Sequence, residues 1–318
     1  MNMINSFSIV IVNWNSGGQL KNCINSIYAA RKTTCVLDKI IIVDNASSDN
    51  SLDDIKLKGT LTEIIENRTN FGFGKACNIG AKGVNSDFIL FLNPDTIIFH
   101  HTFINLFKHV EYNSSDNIGV YGIQLQDETG RVQKTCARFP TTWNFIVRSL
   151  GLNKLNSKVF KSYVMDEWSH NNSRIVNEVM GAFFMVKTAL FLKTKGFDER
   201  YFVYYEELDF SKRIFDLGYK TKYLAESQAF HKGGGVSEKV KAKRLFYNLQ
   251  SRIIYSFKHF GRVKGFFIMF ITLIVEPFTR LVFLILKKRN KKEVLELFLG
   301  YKMLFKNSLN IIEKGLKE

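Results

Sequence analysis

Proline and cysteine are scarce in this chain of 318 residues. It contains three prolines and four cysteines, and no two cysteines form a CxxC pair. The unpaired spacing of the cysteines excludes a disulfide framework and a CxxC-type zinc site, so we expect ordinary thiols in a reducing compartment. The chain also lacks internal repeats and low-complexity tracts. With 46% hydrophobic and 23% charged residues, its composition is that of a globular protein.

Two features of membrane and secreted proteins are missing as well. No basic region precedes the first apolar run, so we predict no secretory signal and a cytoplasmic location. The apolar run Gly265–Val275 is shorter than the roughly 20 residues that crossing a bilayer takes. The sequence therefore predicts no membrane-spanning helix.

Positive charge is concentrated at the end of the chain. The net charge is +16, and the residues from His231 onward contain 19 basic and 6 acidic residues, a net charge of +13. The first 230 residues are close to neutral. This asymmetry predicts a catalytic or binding body followed by a basic segment that faces an anionic surface, either a membrane or a nucleic acid.

Strand-like and helix-like segments alternate in the first 112 residues. The strand-like runs are Phe7–Asn13, Lys39–Val43, Leu61–Ile65 and Phe88–Leu92. The segments with helical spacing of apolar residues are Gly18–Ala30, Gly74–Gly83 and Thr102–Tyr112. Such alternation predicts an α/β fold with a doubly wound, mainly parallel sheet flanked by helices. Residues from about 122 to 174 show no clear period.

The residues beyond Ser237 favour a helical, basic extension. Val240–His259 predicts a basic helix, and we expect Pro277 to kink the apolar helix that follows. The polar positions of that helix share one stripe and are Thr272, Glu276, Thr279 and Arg280. A cationic block follows, made of Lys287, Lys288, Arg289, Lys291 and Lys292. A wide apolar face beside a cationic cluster is typical of a helix in the membrane interface. The alternative is a helix hairpin packed on the domain, with solvated lysines.

Polar residues follow two of the strand-like runs. Asp44 directly follows the second run, and Asp95 follows Phe88–Leu92 after Asn93 and Pro94. In open α/β sheets, ligands bind beyond the carboxyl ends of the strands. Asp44 can accept hydrogen bonds from a base or ribose, or it can simply cap a turn or helix. Asp95, on a strand end whose direction Pro94 fixes, is a suitable ligand for Mg²⁺ or Mn²⁺.

Three further segments contain candidate site residues. The turn from Asn70 to Gly74 fails the GxGxxG fingerprint because Cys77 occupies the third glycine position, but it allows close approach of a ligand. The carboxylates of Glu206, Glu207 and Asp209 repel one another, which raises at least one pKa and suits a general base; they can also be a charged helix N-terminus. A single histidine is usually not a ligand, but His231 lies beside three glycines whose flexibility favours a functional role.

Taken in order, these motifs closely resemble the family 2 glycosyltransferases, nearest to the bacterial rhamnosyltransferase-like branch that builds O-antigen and other surface polysaccharides. The stretches that carry the resemblance are VIVNWN, VDNASSDNS, NFGFGKACNIG, FLNPD, GAFFMVKTALFLKTKGFDERYFVYYEELDFSKRI and HKGGGVS. The resemblance covers most of residues 7–260, except the segment around 122–174. It implies a GT-A domain at 1–237, with a nucleotide-sugar-binding half at about 1–95 and an acceptor and catalytic half at 96–237. Residues 238–318 would form a membrane-associating extension.

The resemblance also implies roles for individual residues. Asp95 would bind the metal, with Asn93 in place of the first Asp of the DxD motif, and His231 would help to hold the metal or the diphosphate. The donor site would involve Asn13, Asp44, Asn45, Asn70, Gly72, Asn78 and Asn93. Glu207 stands where the family has an aspartate base. Because its side chain is longer, Glu206 and Asp209 stay open as alternative bases.

The implied reaction is an inverting, metal-dependent transfer of a sugar, best L-rhamnose from dTDP-L-rhamnose, to a hydroxyl of a polyprenyl-diphosphate-linked or other glycan. Alternative donors are UDP-Gal, UDP-GlcNAc and dTDP- or UDP-linked amino sugars. A processive synthase is disfavoured because no QxxRW motif and no set of spanning helices is present. A basic protein that binds nucleic acid is disfavoured because no aromatic-interleaved basic groove is recognisable. We expect a protein that is peripheral on the cytoplasmic face of the bacterial inner membrane, with its oligomeric state open.

Overall fold

The computed structural model describes residues 6–31, 35–53, 55, 61–112, 117–156, 159–233 and 240–317. These residues form two compact units. The first unit contains 1–138, 164–199 and 206–236, and the second contains 139–163, 200–205 and 237–318. The predicted boundary between 237 and 238 lies outside the described residues. The second unit also includes two earlier segments that we expected in the first domain.

The first unit is built on a nine-stranded sheet. The strands of the first unit, inside and outside this sheet, are β1 (Ser6–Asn13), β2 (Val36–Asp44), β3 (Thr62–Glu66), β4 (Phe88–Leu92), β5 (Thr96–Ile98), β6 (Ile118–Gln126), β7 (Cys136–Ala137), β8 (Arg174–Val176), β9 (Glu178–Val179), β10 (Phe183–Lys187) and β11 (Lys220–His231). The order is β3-β2-β1-β4-β10-β6-β11-β5, with β8 paired to β11, while β7 and β9 form a separate pair. Strands β3, β2, β1 and β4 are parallel neighbours, as are β6 and β11. Strand β10 runs antiparallel to both β4 and β6. The predicted α/β fold with a mostly parallel sheet is confirmed.

Helices cover both faces of this sheet. The helices of both units, in the described part of the chain, are α1 (Gly18–Ala30), α2 (Phe73–Ala81), α3 (Thr102–Tyr112), α4 (Thr142–Ser149), α5 (Leu152–Leu155), α6 (Thr188–Lys193), α7 (Glu206–Asp216), α8 (Lys241–Phe260), α9 (Arg262–Phe270), α10 (Glu276–Leu286), α11 (Lys291–Lys306) and α12 (Ser308–Leu316).

Strand β1 shows how the two cores form, because successive side chains point to opposite faces of a strand. Ile9 and Ile11 join the core with α1 and α3, and Val10 joins the core with α2 and α7.

Helix α2 approaches the sheet very closely. A Cβ atom on Gly80 would lie 2.5 Å from Val10 Cγ1 and 2.8 Å from Val43 Cγ2. Only glycine fits there, so this position brings the helix down onto β1 and β2. The start of α2 consequently lies at the carboxyl edge of the sheet, where β1 and β2 end side by side at Asn13 and Asp44.

The second unit is helical. Helix α8 packs against α9, α11 and α12. Helix α9, a π-helical turn at Ile271–Val275 and α10 form one continuous helix, Arg262–Leu286, of 25 residues. The helix is therefore longer than the apolar run Gly265–Val275: with a mean hydropathy of 2.1 over an 18-residue window, it is long and apolar enough to cross a membrane by length and composition alone. That it does not cross stays a prediction. Pro277 lies in the first turn of α10, directly after the π-helical turn, in which the N–H of Glu276 bonds to the carbonyl oxygen of Ile271.

The polar stripe of this helix is buried inside the second unit. Arg252 of α8 donates hydrogen bonds to Thr272 Oγ1, at 2.8 Å, and to the Glu276 carboxylate. Arg280 Nε donates to Glu276 Oε1 at 2.8 Å, and Ser149 Oγ donates to Glu276 Oε2 at 3.0 Å. We call these five residues the buried ion network. The network fixes which side of the helix faces α8 and α4.

Candidate active site

Strand pairing brings Asp95 and His231 together. After β4 the chain turns, with the N–H of Thr96 donating to the carbonyl oxygen of Asn93 at 3.2 Å. Strand β5 then pairs with the end of β11, so that Thr96 lies opposite His231. His231 Nε2 lies 3.4 Å from Asp95 Oδ1, and the two side chains are only 6% and 10% exposed. The two residues predicted to bind the metal are therefore neighbours.

Gln133, which the sequence analysis did not single out, determines which ring nitrogen of a neutral His231 carries the proton. Its Nε2 atom donates to the backbone oxygen of His231 at 2.7 Å, and its Oε1 atom lies 2.9 Å from His231 Nδ1. Because an amide oxygen can only accept, Nδ1 must carry the proton. In the neutral ring, Nε2 then presents a lone pair to Asp95. A metal-binding histidine is oriented in this way by a hydrogen bond on its other nitrogen.

These residues fit a divalent cation. A lone pair and a carboxylate that face each other repel, and a shared cation or proton removes the repulsion. Imidazole nitrogen and carboxylate oxygen are both ligands of Mn²⁺, and carboxylate oxygen is preferred by Mg²⁺. No group of three or more His, Cys, Asp or Glu residues suited to a metal occurs in the described part of the chain. The protein would thus supply two ligands, and a diphosphate and water would supply the others.

Asn13 and Asp44 form a buried pair at the carboxyl ends of β1 and β2. Asn13 Nδ2 donates to Asp44 Oδ1 at 2.7 Å and to Ser51 Oγ at 2.8 Å. Asp44 Oδ2 accepts from the N–H of Ser47 at 3.0 Å. Asn13 is fully buried and Asp44 is 4% exposed. Asn13 therefore orients Asp44 and the loop after β2, and direct contact of either residue with a nucleotide stays a prediction.

The glycine-rich turn before α2 is held by Asn45. Its Nδ2 atom donates to Asn70 Oδ1 and to the carbonyl oxygen of Gly72, both at 3.0 Å, and its Oδ1 atom accepts from the N–H of Phe71 at 3.1 Å. Gly72 has a φ of 86°, which favours glycine, and its N–H donates to Asn70 Oδ1 at 2.9 Å. Three of the predicted donor-site residues thus build one turn at the sheet edge.

Asn78 has a positioning role in the structure. Its Nδ2 atom donates to the carbonyl oxygen of Phe197 at 2.8 Å, and its Oδ1 atom accepts from the N–H of Phe197 at 2.9 Å. Both ends of the amide are thus bound to backbone, which links α2 to the segment after α6. Asn93 is half-buried, and its N–H donates to the carbonyl oxygen of Ala182 at 3.0 Å. Contact of Asn78 or Asn93 with the donor stays a prediction.

The three acids at the start of α7 have different environments. Asp209 is fully buried, and its Oδ2 atom accepts from Arg213 Nε at 2.8 Å. Arg213 also donates to the carbonyl oxygens of Thr194 and Gly196, both at 2.7 Å. Asp209 is therefore part of a buried ion pair that anchors α7. This arrangement leaves Glu207 and Glu206 as the better candidates for a base.

Glu206 and Glu207 form a cluster with Glu178 of β9, a residue that the sequence analysis missed. No lysine or arginine forms an ion pair with any of the three in the described part of the chain, and Oε2 of both Glu206 and Glu207 is buried without a hydrogen-bond partner. Burial raises the pKa of all three carboxyls. We call these three residues the carboxyl cluster.

Glu207 is the member of the carboxyl cluster that ionises first. Hydrogen bonds from its own backbone N–H and from that of Gly181 partly offset the burial that raises its pKa. After burial, the negative charge of Glu207 is the next cause that raises the pKa of Glu206 and Glu178. The pKa of Glu207 is thus raised less than those of its two neighbours, which suits a buried general base with an elevated pKa.

Comparison with known proteins identifies the family of the chain. The family model described as glycosyl transferase family 2 matches residues 8–172, which is more than half of the chain. The chain is 28% identical over 214 residues to the rhamnosyltransferase WbbL of Escherichia coli, covering 62% of this chain and 77% of that protein. It is 20% identical over 248 residues to the N-acetylglucosaminyl-diphospho-decaprenol L-rhamnosyltransferase of Mycobacterium tuberculosis, covering 72% and 76%.

A solved structure shows the same fold at low sequence identity. The mannosyltransferase PcManGT from Pyrobaculum calidifontis, crystallised with GDP-Man and Mn²⁺, matches 98% of this chain and 84% of its own with a TM-score of 0.52 and 11% identity. The expected GT-A fold is therefore confirmed. The matched family model includes Asp44 and Asp95 but ends before Glu207 and His231.

Proposed function

The chain belongs to glycosyl transferase family 2, and we propose that it transfers L-rhamnose from dTDP-L-rhamnose to a hydroxyl of a lipid-linked glycan, with inversion at the anomeric carbon. Its rhamnosyltransferase relatives support the sugar and the transfer. The observation that carries the proposal is the 3.4 Å distance between Asp95 Oδ1 and Nε2 of the His231 ring, whose Nδ1 faces Gln133 Oε1. That pair is suited to a divalent cation and the diphosphate of a sugar donor.

Asp95 and His231 would hold Mn²⁺ or Mg²⁺ in this mechanism, and the ion would supply positive charge that stabilises the departing diphosphate. Gln133 keeps the proton on Nδ1, so that Nε2 is available as a ligand. The turn built by Asn45, Asn70 and Gly72 approaches the donor with its backbone, and Asp44 contacts the nucleoside.

Glu207 is the base that activates the acceptor. As the acceptor oxygen attacks the anomeric carbon, its proton moves to the Glu207 carboxylate. The bond from the anomeric carbon to the diphosphate oxygen breaks, and its electron pair leaves with the diphosphate. The burial that raises the pKa of Glu207 brings its proton affinity closer to that of a base at neutral pH. Burial and the charge of Glu207 raise the pKa of Glu206 well above its ordinary value, so it is the weaker candidate.

The acceptor is a glycan on a polyprenyl diphosphate, and the protein is peripheral on the cytoplasmic face of the bacterial inner membrane. The name of the mycobacterial relative contains a decaprenol-linked diphosphosugar, which supports an acceptor of this class. The net charge of +13 from His231 onward supports attraction to an anionic surface. Nucleic acid is not required as a partner.

The test is a transfer assay on a short-chain lipid diphosphate that carries N-acetylglucosamine, with dTDP-rhamnose and, in parallel, UDP-galactose and UDP-N-acetylglucosamine. We expect transfer from dTDP-rhamnose that needs Mn²⁺ or Mg²⁺ and is lost in Asp95→Ala and His231→Ala. Glu63→Ala is the matched control, because Glu63 is a half-exposed carboxylate on β3. Transfer from a UDP sugar alone would contradict the donor, and metal-independent transfer by Asp95→Ala would contradict the site.

A further inference from the structure

One side of the helix Arg262–Leu286 is apolar and uncovered. Its exposed large apolar residues recur every three or four positions outside one Phe-Phe and one Ile-Leu pair, and their exposed fractions run from 44% to 85%. We call them the apolar face: Val263, Phe266, Phe267, Phe270, Ile274, Phe278, Val282, Ile285 and Leu286. Soluble proteins rarely expose a contiguous apolar strip of this size, and such strips mark interaction surfaces.

The π-helical turn keeps this face continuous. Phe270, Ile274 and Phe278 are spaced by four residues twice, a spacing that would drift around a regular α-helix with 3.6 residues per turn. The wider turn at Ile271–Val275 absorbs one extra residue, so that these side chains stay on one line. The apolar face thus extends over α9 and α10 as one strip.

The opposite, polar side of the helix must face the interior of the second unit. Thr272 and Glu276 are 0% and 1% exposed, and Arg252 is fully buried. Rotating the helix about its axis would separate Glu276 from Arg252 and leave the charge of Arg252 without an ionic partner in the interior, which is strongly unfavourable. The buried ion network therefore fixes the apolar face outward from the second unit.

Positive charge follows the apolar face directly. The cationic block, from Lys287 to Lys292, begins immediately after Leu286, and its residues are exposed. An apolar strip that ends in clustered lysines complements an anionic lipid surface, where acyl chains and phosphates lie within a few ångströms of each other. A protein partner would need an apolar groove and an acidic rim instead, so we commit to lipid as the occupant.

We propose that the apolar face lies in the plane of an anionic bilayer at the level of the headgroups, and that the helix Arg262–Leu286 does not cross the membrane. Crossing would carry Glu276, together with Arg252 of α8 and Ser149 of α4, into the hydrocarbon. Lying flat buries the apolar face and leaves the buried ion network in place. The inference rests on the proposed function only for the choice of a membrane as the place of action.

Binding to vesicles tests the surface. Purified full-length protein is sedimented with phosphatidylcholine vesicles with and without 30% phosphatidylglycerol. We expect Phe270→Glu/Phe278→Glu to lower the partition coefficient more than tenfold on both vesicles, since each phenylalanine buries a large apolar area. Lys287→Gln/Lys288→Gln/Lys291→Gln should lower it on the anionic vesicles only, by roughly fivefold per lysine. Leu192→Glu and Lys82→Gln/Lys108→Gln are matched controls on exposed positions of the first unit.

Depth measurements distinguish a flat helix from a crossing one. Tryptophan is placed singly at Phe266, Phe278 and Ile285, and quenching by lipids brominated at different depths is measured relative to the parent chain. Equal, shallow depths at the three positions support the proposal; a deep centre with shallow ends would overturn it, as would no quenching. An oligomer that the glutamate variants dissociate would show that protein covers the face instead. Donor hydrolysis without vesicles should be unchanged in all variants, which separates this inference from the proposed reaction.

Discussion

Two buried glutamates in this protein have opposite acidities. Burial by itself would raise the pKa of Glu276, but the charges and hydrogen bonds of Arg252 and Arg280 lower it to about 2. Burial raises the pKa of Glu207, and only backbone N–H groups oppose that rise. Glu276 is 1% exposed and Glu207 is partly buried, so burial opposes ionisation at both, and only Glu276 has arginines that reverse the effect.

This difference in pKa distinguishes a carboxylate that stabilises the fold, Glu276, from one that is suited to proton transfer, Glu207. In the second unit, a carboxylate with two arginines fixes the orientation of a helix and has no free affinity for a proton. In the first unit, carboxyls without a cation destabilise the fold when they are ionised, and their pKa values lie above the ordinary range. Strained or unpaired groups of this kind concentrate at active sites because their function requires the unfavourable arrangement.

Removing the proposed base, Glu207, should have the largest effect, which is a loss of activity. Glu207→Gln keeps the shape of the side chain but cannot accept the proton, so we expect kcat for sugar transfer to fall by about 10² to 10⁴-fold. The free energy of unfolding should not decrease, because no ion pair is lost. Glu206→Gln is the matched control, with an expected loss below about tenfold. A larger loss in Glu206→Gln than in Glu207→Gln would assign the base to Glu206.

Breaking the ion pair between Arg252 and Glu276 should have the next largest effect. It should lower the stability of the protein and leave the chemistry of the active site unchanged. Arg252→Met leaves the buried Glu276 with Arg280 as its one arginine partner beside the hydroxyl of Ser149. We expect a loss of about 3–5 kcal/mol in the free energy of unfolding by urea. The double substitution Arg252→Met/Glu276→Leu should regain most of it. Arg244→Met, at an exposed position of the same helix, should change little. A double variant as unstable as the single one would show that packing, and not charge, is responsible.

Lowering the pH should decrease the free energy of unfolding because Glu276 becomes protonated. Its pKa is lower in the folded state than in the unfolded state, so its contribution is complete above pH 5 and is lost as the pH falls toward 2. The fall from the ordinary value of 4.5 corresponds to about 3 kcal/mol. Unfolding free energies measured from pH 5 to pH 2 should drop by that much more in the wild type than in Arg252→Met/Glu276→Leu. Equal drops would contradict the assignment.

At the carboxyl cluster, raising the pH should decrease the stability of the protein. We expect this effect to be the smallest of the four. The pKa of Glu178 is raised in the folded state by burial and by the charge of Glu207, so its neutral form fits the fold and stability decreases as the pH rises above the unfolded value. Glu178→Gln removes this dependence. At pH 8 we expect the variant to be more stable, on the order of 1 kcal/mol for each unit of pKa shift, and at pH 4 equally stable. A variant that is less stable at pH 8 would disprove the neutral state.

Local patterns predicted much of the first unit. The bounds of α1, α3 and β4 agree with the structure because each has a clear apolar period and a polar end. The antiparallel position of β10 between β4 and β6 was not predictable, since strand pairing depends on contacts distant in the chain. For the same reason, nothing local indicates that β11 carries His231 to Asp95.

The site residues that were missed are single polar residues without a pattern. Gln133 lies in a polar segment and Glu178 in VNEVMG, and each acquires its role only when a distant residue packs beside it. The long C-terminal helix was underestimated because Glu276 and Pro277 interrupt its apolar run. In the structure Arg252 neutralises the glutamate and the π-helical turn accommodates the proline.

The π-helical turn also restricts how the length of this segment can change. Each residue of an α-helix advances the side chains by about 100° around its axis. Deleting one residue from Ile271–Val275 would convert the wide turn to a regular helical turn and keep Glu276 facing Arg252. Adding a residue would instead rotate α10 by about 100° away from Arg252. Between α9 and α10, the loss of one residue should therefore be tolerated better than the gain of one.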